Sequence, residues 1–308
     1  MRKMEAFILG LIILIAGSFI FQLILSRPDG GEVAIGLVPK KLSTEELYIA
    51  IGIIGATVMP HNLYLHSALV QSRKIGASDK EVKYALRWNF IDSFLSLNIA
   101  FFINAAILIV AASSFHVNGY TTLSSITDAH KMLDPVLGSN FASIAFALAL
   151  IAAGQSSTVT GTLAGQIVME GYLNIRFNPV FRQLITRLLA ILPAVVVIIV
   201  FGEGNSEKLL VFSQVILSLQ LSFVVIPLII SVSSAKMNSF KIKKPFKFIS
   251  WLVATVILSL NIYWLLSLVI DNYSTAPYYL KLLQIFGITG FLLMIVLTIY
   301  YPYKRKSD

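Results

Sequence analysis

The chain reads as an all-α membrane protein with about eight transmembrane helices, and three features of the sequence lead there. It is 57% hydrophobic and only 13% charged, with mean hydropathy +0.82, whereas a soluble domain carries about a quarter charged residues. Apolar runs near the ~20 residues needed to cross a bilayer core recur from end to end. The charges sit in short segments between those runs, so a net charge of +9 reads as a topology signal and not as a nucleic-acid surface. There is no cysteine. That excludes a disulfide framework and a thiolate metal site, and leaves only O, N or thioether donors for any metal.

In chain order the expected spans are residues 6–25, 48–73, 90–113, 141–171, 184–201, 209–232, 248–270 and 280–301, the second broken at 59–60. The first is too long for the apolar part of a signal peptide, lacks an A-x-A-like cleavage site, and is followed by further spans. Outside the spans, only 27–47 and 116–140 are long, the latter with a short helix expected around Ser124–Leu133. With no low-complexity tract and no short repeat, residues 1–308 form a single polytopic domain. Most of the 24 Lys and Arg fall in alternate connections, including Arg2, Lys3, Arg73, Lys74, Lys80, Lys83, Arg87, Lys243, Lys244 and Lys304. An even number of spans with both termini cytoplasmic, in a multi-pass cell-membrane protein, satisfies that bias.

Chemistry concentrates in the second span. Pro60 has no N–H and disfavours helical geometry at Met59, so the helix should break there and leave carbonyls around Ala56–Val58 without their usual donors. Such a break either is satisfied by neighbouring helices as a plain kink or lines a cavity and binds something. Met59 is either a gap-filler or a soft thioether ligand suited to Mn²⁺, Fe²⁺ or Cd²⁺ more than to Mg²⁺ or Ca²⁺. His61 and His66 stand roughly 140° apart around a helix, with no Glu between them, so a zinc protease is excluded. They read as a proton path, as a polar cavity wall, or as hydrogen-bonded packing residues. The segment Gly154–Gly171 is dense in hydroxyls and glycines, with Gly161 and Gly165 forming a small-xxx-small face. Gln214 and Gln220, in an otherwise apolar span, each offer an amide oxygen to a cation or a bond across helices. Asp92 and Arg187 are charges that the bilayer tolerates when paired, hydrated or snorkelling.

These stretches resemble the Nramp family of proton-coupled divalent metal transporters over nearly the whole chain. Gly55-Ala-Thr-Val-Met-Pro-His-Asn-Leu-Tyr-Leu-His-Ser67 looks like the family's broken sixth helix, and Gly154–Gly171 like its transport signature. Thr186-Arg-Leu-Leu-Ala-Ile-Leu-Pro193 and Phe212-Ser-Gln-Val-Ile-Leu-Ser-Leu-Gln220 are similar to its ninth and tenth helices. The resemblance implies a partial LeuT-like inverted-repeat fold, with helices five to twelve present, the second repeat complete and the first represented by its last helix. It places Met59 on the metal-binding methionine, Ala56 on the residue lending a backbone carbonyl, and Gln214 on the tenth-helix glutamine near the metal. It places His61, His66 and Arg187 on positions tied to proton coupling. The family's Asp-Pro-Gly-x-Asn motif, which supplies a carboxylate and an amide to the metal, occurs nowhere in the 308 residues. Ser222 stands where the tenth helix usually carries Pro.

The expected function is therefore transport of Mn²⁺ or Fe²⁺ by symport with H⁺, as the C-terminal portion of such a transporter and inactive alone. The partners are divalent metal ions, protons, the lipid bilayer and a further segment carrying helices one to four. No cofactor and no nucleic acid are implied, the metal being cargo. Two alternatives stand beside it: a non-transporting membrane scaffold that needs a partner with the missing helices, and a carrier of an organic substrate on the same fold. No nucleophile, base and orienting group converge as an enzyme requires.

Overall fold

The computed structural model describes the chain except residues 1, 39, 72, 74, 77, 121–124, 174–178, 203–205, 235–236, 238–239, 273–277 and 305–308. Every described regular element is helical: α1 (Arg2–Ser26), α2 (Gly30–Gly36), α3 (Thr44–Val58), α4 (Pro60–Gln71), α5 (Asp79–Ala111), α6 (Ile126–Leu137), α7 (Ala142–Leu173), α8 (Pro179–Phe201), α9 (Ser206–Val232), α10 (Lys244–Asn272) and α11 (Tyr278–Lys304). A π-helical turn, Ala112–His116, continues α5. Among the described residues each of the eight apolar runs falls largely on helix, the second divided between α3 and α4. Among the described residues, six helical stretches are long and apolar enough to cross a membrane: Glu5–Ser26, Thr44–Gln71, Asp79–His116, Ala142–Met169, Glu207–Val232 and Lys244–Ser267.

Local chemistry sets the helix starts. Ser43 and Glu46 form a capping box, the Glu46 N–H donating to Ser43 Oγ at 3.3 Å and the Ser43 N–H to the Glu46 carboxylate at 2.7 Å. Ser78 and Glu81 repeat it at 3.3 and 3.2 Å, which is why α5 begins well before the apolar run at Phe90. Ser125 caps α6 by accepting from the Asp128 N–H at 3.1 Å, and Gly138 closes that helix with φ 63°, a left-handed conformation that suits glycine. The helix expected around Ser124–Leu133 is thus Ile126–Leu137, with Ser124 itself outside the described residues.

The chain divides into two compact units. The first comprises Met1–Lys40 and Tyr64–Glu207. Here Phe19 of α1, Ala106 of α5 and Ala149 of α7 are buried together, and Phe19 meets Phe146 edge-on with ring centroids 6.5 Å apart. A second cluster, Phe115, Leu133 and Ala142, seats α6 on the start of α7. The second unit comprises Lys41–Leu63 and Lys208–Asp308. Leu47 and Ile51 of α3, Val215 of α9 and Trp264 of α10 form one cluster there, and Ile226, Phe291 and Ile295 another. Large apolar side chains elsewhere are widely exposed, among them Phe94, Phe102, Ile199 and Phe248. A lipid environment accepts such surface; water does not.

Candidate functional site

The break falls where Pro60 dictates it. α3 ends at Val58, α4 opens at Pro60, and Met59 between them has φ 28° and ψ 107°. A positive φ is strained for a residue with a Cβ, and such strain collects at functional sites. The Met59 N–H closes α3 by donating to the Gly55 carbonyl at 3.2 Å, and the Asn62 N–H donates to the Met59 carbonyl at 3.0 Å. Because Pro60 has no N–H, the Ala56 carbonyl has no donor four residues on. The half-buried Met59 thioether accepts from Asn62 Nδ2 at 3.7 Å, which fixes the sulfur on the first turn of α4.

Gly55 brings α9 up to this break. A Cβ at Gly55 would collide with the Gln214 carbonyl oxygen and lie 2.8 Å from the Ser218 nitrogen, so α3 and α9 meet backbone to backbone. Gln214 is half-buried, its Nε2 donating only weakly to Ser213 Oγ at 3.4 Å. One turn further, Ser218 Oγ donates to Asn261 Oδ1 at 3.1 Å and Asn261 Nδ2 donates to the Ser218 carbonyl at 3.0 Å, with both residues buried. This pair ties α10 to α9 at the level where α9 meets α3.

Ala56, Met59, His61 and Gln214 therefore belong to one unit, on segments in direct contact at Gly55. His61, half-buried, sits in the first turn of α4. His66 is exposed further along α4, and Arg187 is exposed on α8, both in the other unit. Asp92 has a partner: its carboxylate lies 3.9 Å from the Arg73 guanidinium. Among the described residues no three of His, Asp and Glu converge as a metal cluster. The break itself offers a thioether and a carbonyl, both neutral, donors that suit a borderline or soft divalent ion and carry no charge to balance it.

Three threonines of α7 use their hydroxyls on their own helix. Thr158, Thr160 and Thr162 donate to the carbonyls of Gly154, Ser156 and Thr158 on their own helix, at 2.8, 3.1 and 2.7 Å. Among the described residues, a Cβ at Gly161 would meet nothing within 4 Å. Three residues that build the site were given no role of their own from sequence: Gly55 and Asn62, quoted only as part of the broken-helix stretch, and Asn261. Asn62 had a signal, standing one turn beyond Met59. Asn261 had another, a lone amide in an apolar run. Gly55 had none, since its partner is remote in the chain.

Comparison with known proteins identifies the family and the fold. A family model described as natural resistance-associated macrophage protein-like, Nramp, matches residues 1–267. The divalent metal cation transporter MntH of Listeria welshimeri is 51% identical over 268 residues, covering 86% of this chain and 60% of that protein. MntH of Nostoc sp. is 50% identical over 269 residues, covering 86% and 61%. Among solved structures, the manganese transporter of Eremococcus coleocola superposes with TM-score 0.79 at 33% identity, covering 97% of this chain and 67% of that one. The chain thus spans about 60% of the length of these curated relatives. With the match running through all but the last of its helices and relatives half identical, the chain belongs to the Nramp family and carries part of its LeuT-like helical fold.

Proposed function

We infer that the chain forms one side of a transmembrane path for a divalent metal ion, Mn²⁺ or Fe²⁺, and that Met59, the Ala56 carbonyl and Gln214 are its ligands. The carrying observation is the break itself: a strained Met59, its sulfur held by Asn62, beside a carbonyl that Pro60 deprives of its donor. The relatives' names, divalent metal cation transporter and manganese transporter, support the same cargo. H⁺ is the coupled ion in this reading, with His61, His66 and Arg187 along its route. The whole chain acts as one membrane domain in the cell membrane, with both termini cytoplasmic.

Three neutral donors cannot offset the dehydration of a divalent cation, so in this reading a carboxylate on a further segment completes the site. By itself the chain should move little metal. Mn²⁺ entry into liposomes carrying only this chain tests that: the reading expects uptake near that of empty liposomes. Uptake at the rate of a complete transporter would overturn the ligand count. The scaffold reading shares the need for a further segment but gives Met59 no role, so metal binding that depends on Met59 separates the two.

A further inference from the structure

Among the described residues, eight buried side-chain polar atoms have no hydrogen-bond partner, and three of them fall around one apolar cluster of the first unit: Gln22 Oε1 on α1, Ser114 Oγ in the π-helical turn and His130 Nδ1 on α6. The cluster is Phe115, Leu133 and Ala142, which joins the π-helical turn and α6 to the start of α7. Gln22 reaches it from α1 with its other amide atom, Nε2 donating to the Ala142 carbonyl at 3.4 Å. Ser114 directly precedes Phe115 in the chain. His130 lays its ring on Phe146, one turn beyond Ala142, with centroids 6.5 Å apart and planes at 22°. Phe146 in turn meets Phe19, one turn before Gln22.

The helix itself turns the Ser114 hydroxyl inward. Ala106, Val110 and Ser114 follow at four-residue steps, so they share one face, and all three are buried. That face is the one by which Ala106 packs with Phe19 of α1 and Ala149 of α7. Beyond Ala111 the turn widens: the Val117 N–H donates to the Ala112 carbonyl at 3.2 Å and the Tyr120 N–H to the Phe115 carbonyl at 3.0 Å, each five residues back. The extra residue in the turn brings Phe115 inward beside Ser114. Ser114 is only 1% exposed and Gln22 not at all, so bulk solvent reaches neither. Native interiors leave few such atoms unpaired and satisfy them with protein or with internal water.

The three atoms select their occupant by chemistry. Gln22 Oε1 only accepts, Ser114 Oγ donates and accepts, and the ring nitrogen of a neutral His130 accepts in one tautomer and donates in the other. The carboxylate one turn along α6 from His130, that of Asp134, is already taken by the Ser143 hydroxyl and N–H at 2.7 and 2.8 Å. A mixed, uncharged set of this kind suits neither a bare cation nor an anion, whereas water both donates and accepts and needs two to four polar partners. We propose that ordered internal water is held between Gln22 Oε1, Ser114 Oγ and His130 Nδ1 and bridges α1, the π-helical turn and α6. Water hydrogens go to Gln22 and His130, and the Ser114 hydroxyl donates to a water oxygen. The site is independent of the metal reading and would stand if that reading failed.

X-ray radiolytic footprinting of the detergent-solubilised chain tests this, because X-rays split held water into hydroxyl radicals that oxidise the nearest ring. Phe115 and Phe291 are matched probes, each 8% exposed and each part of an apolar cluster. Phe115 should be hydroxylated severalfold faster than Phe291, a comparison made within the unaltered chain. Gln22→Leu, which removes an acceptor, and Ser114→Ala, which removes a single oxygen, should each bring the Phe115 rate down toward that of Phe291, in protein whose circular dichroism shows the helices intact. Equal rates at the two phenylalanines in the unaltered chain would overturn the proposal. So would a fast Phe115 rate that survives both substitutions, because the radical source would then not be water held by these atoms.

Discussion

Met59 and Gly55 show how two adjacent constraints make a site. Pro60 removes one N–H and takes Met59 out of helical geometry, and Met59 stands at φ 28°, a conformation that costs of order 1–3 kcal/mol and persists only where its surroundings over-determine it. Gly55 supplies part of those surroundings by letting α9 press its backbone against α3. Gly55→Ala should therefore destabilise the protein by roughly 1–3 kcal/mol, read as a fall in Tm. Gly52→Ala, whose Cβ would meet Val211 at an ordinary 3.5 Å, should cost far less. Similar losses from both would mean that the close approach does not matter. Asn261→Ala leaves the Ser218 hydroxyl and carbonyl short of a partner in a fully buried place, which should cost about 1–3 kcal/mol. The break was legible because Pro acts on its own chain neighbours. The Gly55–Gln214 contact was not, because sequence does not reveal which distant backbone a glycine admits.

At the scale of elements, capping decides more than hydropathy does. Hydropathy located the long helices but not their starts: α5 opens at the Ser78–Glu81 box, many residues before its apolar run. The seven-residue helix α2, begun by Asp29 accepting from the Gly31 N–H at 2.7 Å, went unforeseen because Gly30 and Gly31 read as breakers. The density of hydroxyls on α7 does not say how they are used: Thr158, Thr160 and Thr162 satisfy themselves on their own helix carbonyls, a use that composition does not distinguish. The join between α6 and α7 is made by Asp134, which accepts from the Ser143 hydroxyl at 2.7 Å and the Ser143 N–H at 2.8 Å. Those bonds, hydroxyl first, hold the Asp134 carboxyl below its ordinary value, with the charge of His130 helping. A carboxyl with a lowered folded pKa stabilises fully above its unfolded pKa and loses that contribution as pH falls through the folded value. The Tm gap between the native chain and Asp134→Ala should be widest near neutrality and close as pH drops below about 4. A gap that stays constant with pH would remove the carboxylate from the account.

Across the whole molecule, composition and charge placement gave the class of protein directly, since lipid leaves few alternatives to apolar helices. The division into two compact units was not legible: nothing in the sequence marks Lys41–Leu63 as belonging with the C-terminal third. The proposed topology has its own check. A fluorescent protein fused after Asp308 should fluoresce in cells, and alkaline phosphatase at the same place should be inactive, because both termini are assigned to the cytoplasm. Active phosphatase there would reverse the orientation.

The proposed cargo depends on a sulfur ligand, and this chain allows a clean reading of one. It has no cysteine and 7 methionines, so any sulfur bound to a metal must be a thioether. X-ray absorption at the cadmium edge, on the chain loaded with Cd²⁺, should show one sulfur scatterer that vanishes in Met59→Ala. A first shell of oxygen and nitrogen alone, or a sulfur signal that survives Met59→Ala, would contradict the assignment of the broken helix as the metal site.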